Sequence, residues 1–482
     1  MKMTRNEYVF AALLIAFISI FFLHYPKTYA IDDEANILSL ASSMARGTVF
    51  LDQAGIDLDA DLVWQGHRIS KFSPFHAALL APAVATRWRL AFLVTAAFLV
   101  WGAFILRGML RHEDLSSDWT LLYFLNPGLL YYSRTLLGIV PAAVMGLLGA
   151  SLLFRSRPRP LAGAMALGGA VLLHIWLAPV AIILALGWWL EQKGGGARAL
   201  LVLSLGALPP TALFVLYNWA TTGSPVRNAY WIIGHQRVLN LSHGPEFLAL
   251  YVVSLLVAPM AGWAAFSHRW AGNWTLPVTV AAIIAIASTY YYRDGVNYGP
   301  VGWIPGQRFL LPASLLACIP AARFIATLSR RFQPSPLLLR RLRGAAVGAF
   351  LVGFALISVY HQHYLQAQAA VQAAIRAAIP DGASVMSSDR VFKAFAPVNG
   401  TWTLRLARYG RVPTEEEREG AYTVWLGLPG EQPPPGWFTG RSPSVTRASS
   451  WVWSRDLWIA PPLGVGSATS LPGERGGSRG DG

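Results

Sequence analysis

Residues 8–34, YVFAALLIAFISIFFLHYPKTYAIDDE, decide how the chain is read. Positions 8–24 are predominantly apolar, and a spanning helix needs roughly 17–25 such residues. The alternative is a secretory signal. Lys2 and Arg5 would supply its basic start, and Thr28-Tyr29-Ala30 loosely imitates a cleavage site. Both readings place residue 31 onward outside the cytoplasm. There stands Ile31-Asp32-Asp33-Glu34, followed by a helical pattern of Ala35, Leu38, Ala41, Ser42 and Ala45. Carboxylates at a membrane rim can act as a general base for an acceptor hydroxyl. The same residues also suit ordinary helix capping, with acidic groups facing the helix dipole. The two readings are compatible, because a capped helix can aim a carboxylate at a cleft.

The rest of the chain extends the membrane reading. Of 482 residues, 54% are hydrophobic and 13% charged, about half the charged share of a soluble domain. Mean hydropathy is +0.42, which rules out a disordered chain and argues against an ordinary soluble enzyme. The net charge of +15 comes from basic residues set between long apolar runs, not from the basic, polar runs of a nucleic-acid binder. The single cysteine, Cys318, excludes an internal disulfide and a Cys-based metal cluster.

Eleven spans are expected, near 8–24, 88–106, 118–133, 138–154, 161–174, 176–190, 198–217, 246–266, 274–292, 308–327 and 344–361. The pair 161–174 and 176–190 is short and reads as a tight hairpin. With a cytoplasmic N-terminus, Arg107, Arg111, Arg155, Arg157, Arg159, Lys193, Arg198, Arg269 and the cluster Arg330 to Arg343 all fall inside, as the positive-inside rule requires. A span at 73–86 would invert this, so that stretch is expected to lie along the outer interface. The outer face then carries loops 25–87, 218–245 and 293–307, and everything after 362. Residues 364–379 read as an amphipathic helix, and β-like runs follow at Ser384–Ser387, Tyr422–Leu428 and Trp451–Ile459. The expected fold is therefore an all-α polytopic membrane protein, with a membrane domain at 1–361. A small α/β or α+β extracytoplasmic domain follows at 362–460, and a Gly/Pro/Ser-rich disordered tail at 461–482.

Further polar groups gather at the outer rim. Lys71-Phe72-Ser73-Pro74 offers a cation to a lipid phosphate, or a snorkelling interfacial Lys. Tyr131-Tyr132-Ser133-Arg134 and Tyr298-Gly299-Pro300…Gly306-Gln307-Arg308-Phe309 each put an Arg at an outer span end. An anionic headgroup, a carboxylate from 32–34, or simple snorkelling would each account for it. Tyr217-Asn218…Gly223-Ser224-Pro225 reads primarily as turn chemistry. His174 is a substrate-binding candidate or a packing residue. His235 and His243 lack metal-ligand spacing, Asp52, Asp57, Asp59 and Asp61 do not follow an EF-hand order, and no metal or cofactor is expected. Span centres are nearly free of charge, whereas transporters place ionisable groups near the midplane.

The order of these motifs resembles the GT-C superfamily of integral-membrane glycosyltransferases. The family 39 type is nearest, with its protein O-mannosyltransferases and the bacterial aminoarabinose transferase acting on lipid A. The resemblance covers about residues 5–360. It implies inverting transfer from a polyprenyl-phosphate sugar to an envelope acceptor at the outer face of the cytoplasmic membrane, among membrane lipids and without nucleic acid. It implies Asp33, with Glu34 as its pair and Asp32 as rival, for deprotonating the acceptor. It implies Lys71, Arg134 and Arg308 for holding the phosphate. Tyr132, His174 and Tyr298 are further substrate-binding candidates from the outer-rim motifs. One departure stands out: Leu137-Gly138-Ile139-Val140-Pro141 carries no acid where relatives often have one. The rival classes are a lipid-linked-glycan polymerase or ligase using a diphosphate donor, and a flippase for lipid-linked sugars.

Overall fold

The computed structural model describes residues 5–29, 31–51, 61–64, 67–191, 196–229, 275–289, 307–388, 391–395, 402–407, 411–450 and 454–462. The chain forms two compact units, Met1–Ala369 and Ala370–Gly482. The expected span at 246–266, Tyr298, His235 and His243 lie outside the described residues, as does the chain from 463.

The first unit is helical apart from one hairpin. Helix α1 (Arg5–Leu23) ends just before Tyr25-Pro26, as a residue preceding proline favours. The long loop that follows is itself structured. It holds α2 (Asp32–Ala45), an antiparallel hairpin of β1 (Asp61–Trp64) and β2 (His67–Ser70), and α3 (Pro74–Arg87). Ser73 caps α3 and Pro74 occupies its first turn, where a missing N–H costs nothing. Through a short 3-10 turn at Trp88–Leu90, α3 leads directly into α4 (Ala91–His112). The backbone of Arg87 is extended there, so α3 and α4 are separate helices.

The expected span 118–133 is not one helix. It is a 3-10 turn (Ser117–Thr120) followed by α5 (Leu121–Phe124) and α6 (Pro127–Tyr132). Asn126 and Pro127 explain the break. The Asn126 side chain accepts the Leu129 N–H at 3.0 Å and restarts the helix, and Pro127 has no N–H to continue the earlier one.

Next come α7 (Ile139–Leu153), α8 (Pro160–Leu173), α9 (Ala178–Glu191), α10 (Ala197–Thr222), α11 (Thr275–Thr289), α12 (Leu311–Phe332) and α13 (Pro336–Ala378). The short pair α8 and α9 turns at His174, as the sequence suggested. The expected separate helix at 364–379 is instead the far end of α13. No Gly or Pro interrupts residues 354–379, so nothing stops the helix. The boundary between the units falls within it.

Among the described residues, Pro74–His112, Ala197–Thr222, Arg308–Phe332 and Leu337–Ala378 are long and apolar enough to cross a membrane, and five shorter apolar helices accompany them. Leu205, Leu208 and Leu216 of α10 and Val352 and Leu356 of α13 are exposed. Such apolar outer faces suit contact with lipid rather than water.

Ion pairs sort the ends of this bundle. Glu7 binds Arg107 at 3.2 Å and Arg111 at 2.6 Å, Asp118 binds Arg343 at 2.9 Å, and Glu113 binds Arg323. At the opposite end His24 contacts Gln362 at 2.7 Å, and the Tyr25 hydroxyl donates to the Arg89 carbonyl at 2.6 Å. The 19 helical steps of α13 from Arg343 to Gln362 rise about 28 Å, close to the thickness of a hydrocarbon core. Arg107, Arg111 and Arg343, at the end with Glu7, are among the residues that the charge pattern assigned to a common side.

The second unit holds a five-stranded sheet ordered β4-β3-β5-β7-β6: β3 (Ser384–Ser388), β4 (Thr403–Ala407), β5 (Tyr422–Gly427), β6 (Ser444–Ser449) and β7 (Ser454–Ala460). Strand β3 is parallel to β4 and β5, and the other pairings are antiparallel. A short helix, α14 (Glu415–Arg418), precedes β5. Met386, Ala407, Ala421, Trp425 and Trp437 form its core. Strands β4 and β6 were not read from the sequence; β6 exposes most of its residues and shows no alternation.

Two predictions follow from packing and charge. A Cβ on Gly206 of α10 would run into the Leu161 carbonyl of α8. Gly206→Val should therefore force the two helices apart and cost about 1–3 kcal/mol, read by unfolding in detergent; unchanged stability would contradict this contact. In the sheet, Asp456 accepts from Arg447 Nε and Nη2 at 2.7 and 3.0 Å and from the Gly430 N–H at 2.7 Å. The Arg447 hydrogen bond, then the Gly430 N–H, hold its carboxyl below the usual carboxylate range. A depressed carboxyl stabilises the fold above its unfolded value, and this is lost as pH falls through the folded one. Asp456→Asn should thus lower the melting temperature of this unit at neutral pH and flatten its acid dependence.

Candidate active site

The site grows from the start of α2. Glu34 is buried, and its two carboxylate oxygens accept different backbone N–H groups: Ile31 at 3.2 Å and Leu136 at 2.8 Å. The first bond closes the helix start, and the second pins the turn between α6 and α7. Both readings of the carboxylate cluster are thus present in neighbouring residues. Glu34 caps and braces, while Asp33 remains partly exposed and meets Arg308 Nη1 through Oδ2 at 3.3 Å. Arg308 comes from 275 positions away, in the 3-10 turn Gln307–Leu310 that opens α12. Its guanidinium also lies 4.8 Å above the Phe309 ring. Asp32 begins α2, and its side chain is outside the described residues.

Asp33 and Arg308 border a cleft of about 1200 Å³ including its open mouth. Lys71 joins them from the turn between β2 and α3, with Nζ 5.3 Å over the Phe72 ring. That turn is fixed by Ser70 Oγ, which accepts the Phe72 N–H at 3.1 Å, and by Ser73 Oγ, which donates to the Leu172 carbonyl. His174, at the α8–α9 junction, lines the same cleft. Three residues read from scattered segments as substrate-binding, Lys71, His174 and Arg308, therefore stand around one cavity with Asp33.

Arg134 and Tyr132 do not line it. Arg134 is fully buried, donates to the His24 carbonyl, and sits among α1, α6 and α13. Tyr132 is buried against Tyr131, whose ring is 5.0 Å from that of His361. Its bond to the His24 carbonyl ties Arg134 to the end of α1.

Three cleft residues escaped the sequence reading. His76, in the first turn of α3, is buried, and its Nε2 meets the Leu136 carbonyl at 2.7 Å. Tyr217 and Asn218, read as turn chemistry, do shape the α10 terminus: Thr222 donates to the Asn218 carbonyl at 2.7 Å, and Gly223 takes a left-handed φ of 67°. They also line the cleft. The acid-free stretch Leu137-Gly138-Ile139 lines it too, and a Cβ on Gly138 would come within 2.8 Å of the Leu173 carbonyl and 3.0 Å of His76. His76 was legible only as a first-turn residue after a Ser-Pro start. Among the described residues no cluster of His, Cys, Asp or Glu is arranged to hold a metal ion.

Two crystal structures of ArnT from Cupriavidus metallidurans superpose on the chain. The apo form gives a TM-score of 0.60 over 93% of this chain and 97% of ArnT, at 13% identity. The form bound to undecaprenyl phosphate gives 0.60 over 95% and 98%, again at 13%. The chain has the ArnT fold. No family model and no curated protein matches the sequence. At 13% identity the ArnT likeness speaks for the fold.

Glu34→Ala would strip acceptors from two buried N–H groups. A destabilisation of about 2 kcal/mol is expected in unfolding experiments. Wild-type stability would show that Glu34 does not brace the site.

Proposed function

We propose that the chain is an inverting glycosyltransferase that moves a sugar from a polyprenyl-phosphate donor to a hydroxyl of an envelope acceptor at the outer face of the cytoplasmic membrane. The observation that carries the reading is the Asp33–Arg308 pair at 3.3 Å on a cleft shared with Lys71. It stands in a fold like that of an ArnT crystallised with undecaprenyl phosphate. One carboxylate and two cations are what such a transfer needs.

In this reading Asp33 takes the proton of the acceptor hydroxyl. The oxygen attacks the anomeric carbon from the face opposite the phosphate, and the bond from that carbon to the phosphate oxygen breaks. The electron pair leaves on polyprenyl phosphate. Arg308 and Lys71 stabilise the charge that builds on the leaving oxygen, which lowers the barrier more than it tightens donor binding. Arg308 is paired with Asp33, and in this reading it also meets the phosphate and couples the base to the leaving group. Glu34 serves by fixing the helix that presents Asp33, and Asp32 is the second candidate base. Arg134 is assigned to bracing the α1 terminus, with Tyr132 packed nearby. The N-terminus is assigned to the cytoplasm, following the basic end of the bundle.

Purified protein should release polyprenyl phosphate from polyprenyl-phosphate hexoses or pentoses, followed by mass spectrometry. Asp33→Asn should lower release by about 100-fold or more without lowering the melting temperature. Full activity in that variant would remove Asp33 from the role and bring Asp32→Asn forward. Turnover restricted to a diphosphate-linked glycan would replace this reading with that of a polymerase or ligase.

A further inference from the structure

We infer that His76, His174, Tyr217 and Asn218 form a recognition wall for the hydroxyls of an uncharged sugar, selecting it over one that carries an ammonium group. The inference rests on the transferase reading above, since the sugar is that of the donor.

Buried polar atoms almost always have hydrogen-bond partners, and those without one inside a cleft mark where a ligand supplies it. Four such atoms stand on this one cleft: His76 Nδ1, His174 Nδ1, Tyr217 Oη and Asn218 Oδ1 have no partner among the described residues. His76 and Asn218 are only 2% and 0% exposed. Their other polar atoms are already committed. His76 Nε2 lies 2.7 Å from the Leu136 carbonyl, and Asn218 Nδ2 donates to the Pro225 carbonyl at 3.3 Å. A carbonyl only accepts, so His76 carries its proton on Nε2 and its neutral ring offers Nδ1 as an acceptor. Asn218 Oδ1 is also an acceptor, and the Tyr217 hydroxyl both donates and accepts. Sugar hydroxyls do both as well, and match this set. Aromatic surface is at hand for the C–H faces of a sugar ring: Phe75 packs edge-on against Tyr217 at 6.2 Å, and Trp176 lies 5.3 Å from Phe309.

The charges around the wall set its selectivity. Arg308 acts on His174 electrostatically, and Lys71 lines the same cleft. Among the described lining residues Asp33 is the one carboxylate, and it is paired with Arg308. An ammonium sugar would enter a low-dielectric wall beside Arg308 and Lys71, where the one carboxylate among the described lining residues is already paired, which is unfavourable. A neutral sugar loses nothing there.

The test uses the full chain in detergent and matched pentosyl and hexosyl phosphate donors, each with either a hydroxyl or an ammonium at C4. The wild type should favour the hydroxyl donor by tenfold or more in kcat/KM. Tyr217→Phe removes an atom with no partner among the described residues, so folding is not at stake. It should lower kcat/KM for that donor about tenfold while leaving the affinity for sugar-free polyprenyl phosphate unchanged. Asn218→Asp, which adds a carboxylate, should narrow or reverse the preference. Equal or better turnover of the ammonium donors by the wild type would overturn the inference, as would Tyr217→Phe with unchanged kcat/KM. Should no donor turn over, the transferase reading falls, and affinity decides the wall. Tighter binding of the hydroxyl donor than of polyprenyl phosphate alone, lost in Tyr217→Phe, would sustain it, and equal affinities would overturn it.

Discussion

The carboxylate of Glu34 is the constraint on which the site depends. It is buried, and it ties the first N–H before α2 to the N–H of Leu136 in the α6–α7 turn. A charge in that position is tolerable only because both oxygens are used, and charge-assisted bonds of this kind are stronger than neutral ones. The bond to Leu136 also orders the segment whose carbonyl holds the His76 ring. One buried acid thus positions Asp33 on one side of the cleft and His76 on the other. The neighbouring carboxylates divide the labour: one is buried and immobilised, and the next is left partly exposed beside a guanidinium.

Around that brace the bundle is assembled from elements that carry little polarity between their ends. Helices α8 and α10 approach through Gly206, where a side chain would not fit, and small residues are how helices pack closely when lipid surrounds them. Ion pairs from Glu7, Glu113 and Asp118 hold one end. The polar groups of the cleft occupy the other. The segment 117–134 passes between these ends beside α1, with Phe124 6.2 Å from Phe17, although it is broken at Asn126. The break leaves α6 as a short independent helix whose end delivers Arg134 to the α1 terminus and Leu136 to Glu34.

Much of this was legible in the sequence, and the failures have physical causes. Apolar runs marked α1, α4, α7, α8, α9, α10 and α12 because lipid-facing or buried helices need no polar stripe. The same criterion fused 118–133 into one span, since hydropathy does not register a cap at Asn126. It also separated the two halves of α13, whose composition changes while its backbone does not. Lys71, His174 and Arg308 were recognisable as polar groups at the ends of apolar runs, and they do meet at one cleft. Arg134 was recognisable by the same sign and lies elsewhere, because a buried Arg satisfying a carbonyl looks identical in sequence. His76, Tyr217 and Asn218 were missed as cleft residues. The His76 ring is placed by a contact with Leu136 sixty positions away, and the turn chemistry of Tyr217-Asn218…Pro225 does not reveal that the same residues face a cleft.

In the proposed reading the Asp33–Arg308–Lys71 cleft binds a polyprenyl phosphate headgroup. Native mass spectrometry of the full chain with undecaprenyl phosphate tests it most directly, comparing the wild type with a variant carrying Arg308→Ala and Lys71→Ala. The account predicts a bound lipid on the wild type and its loss from a double variant that keeps the wild-type melting temperature. Equal occupancy in both proteins would contradict it.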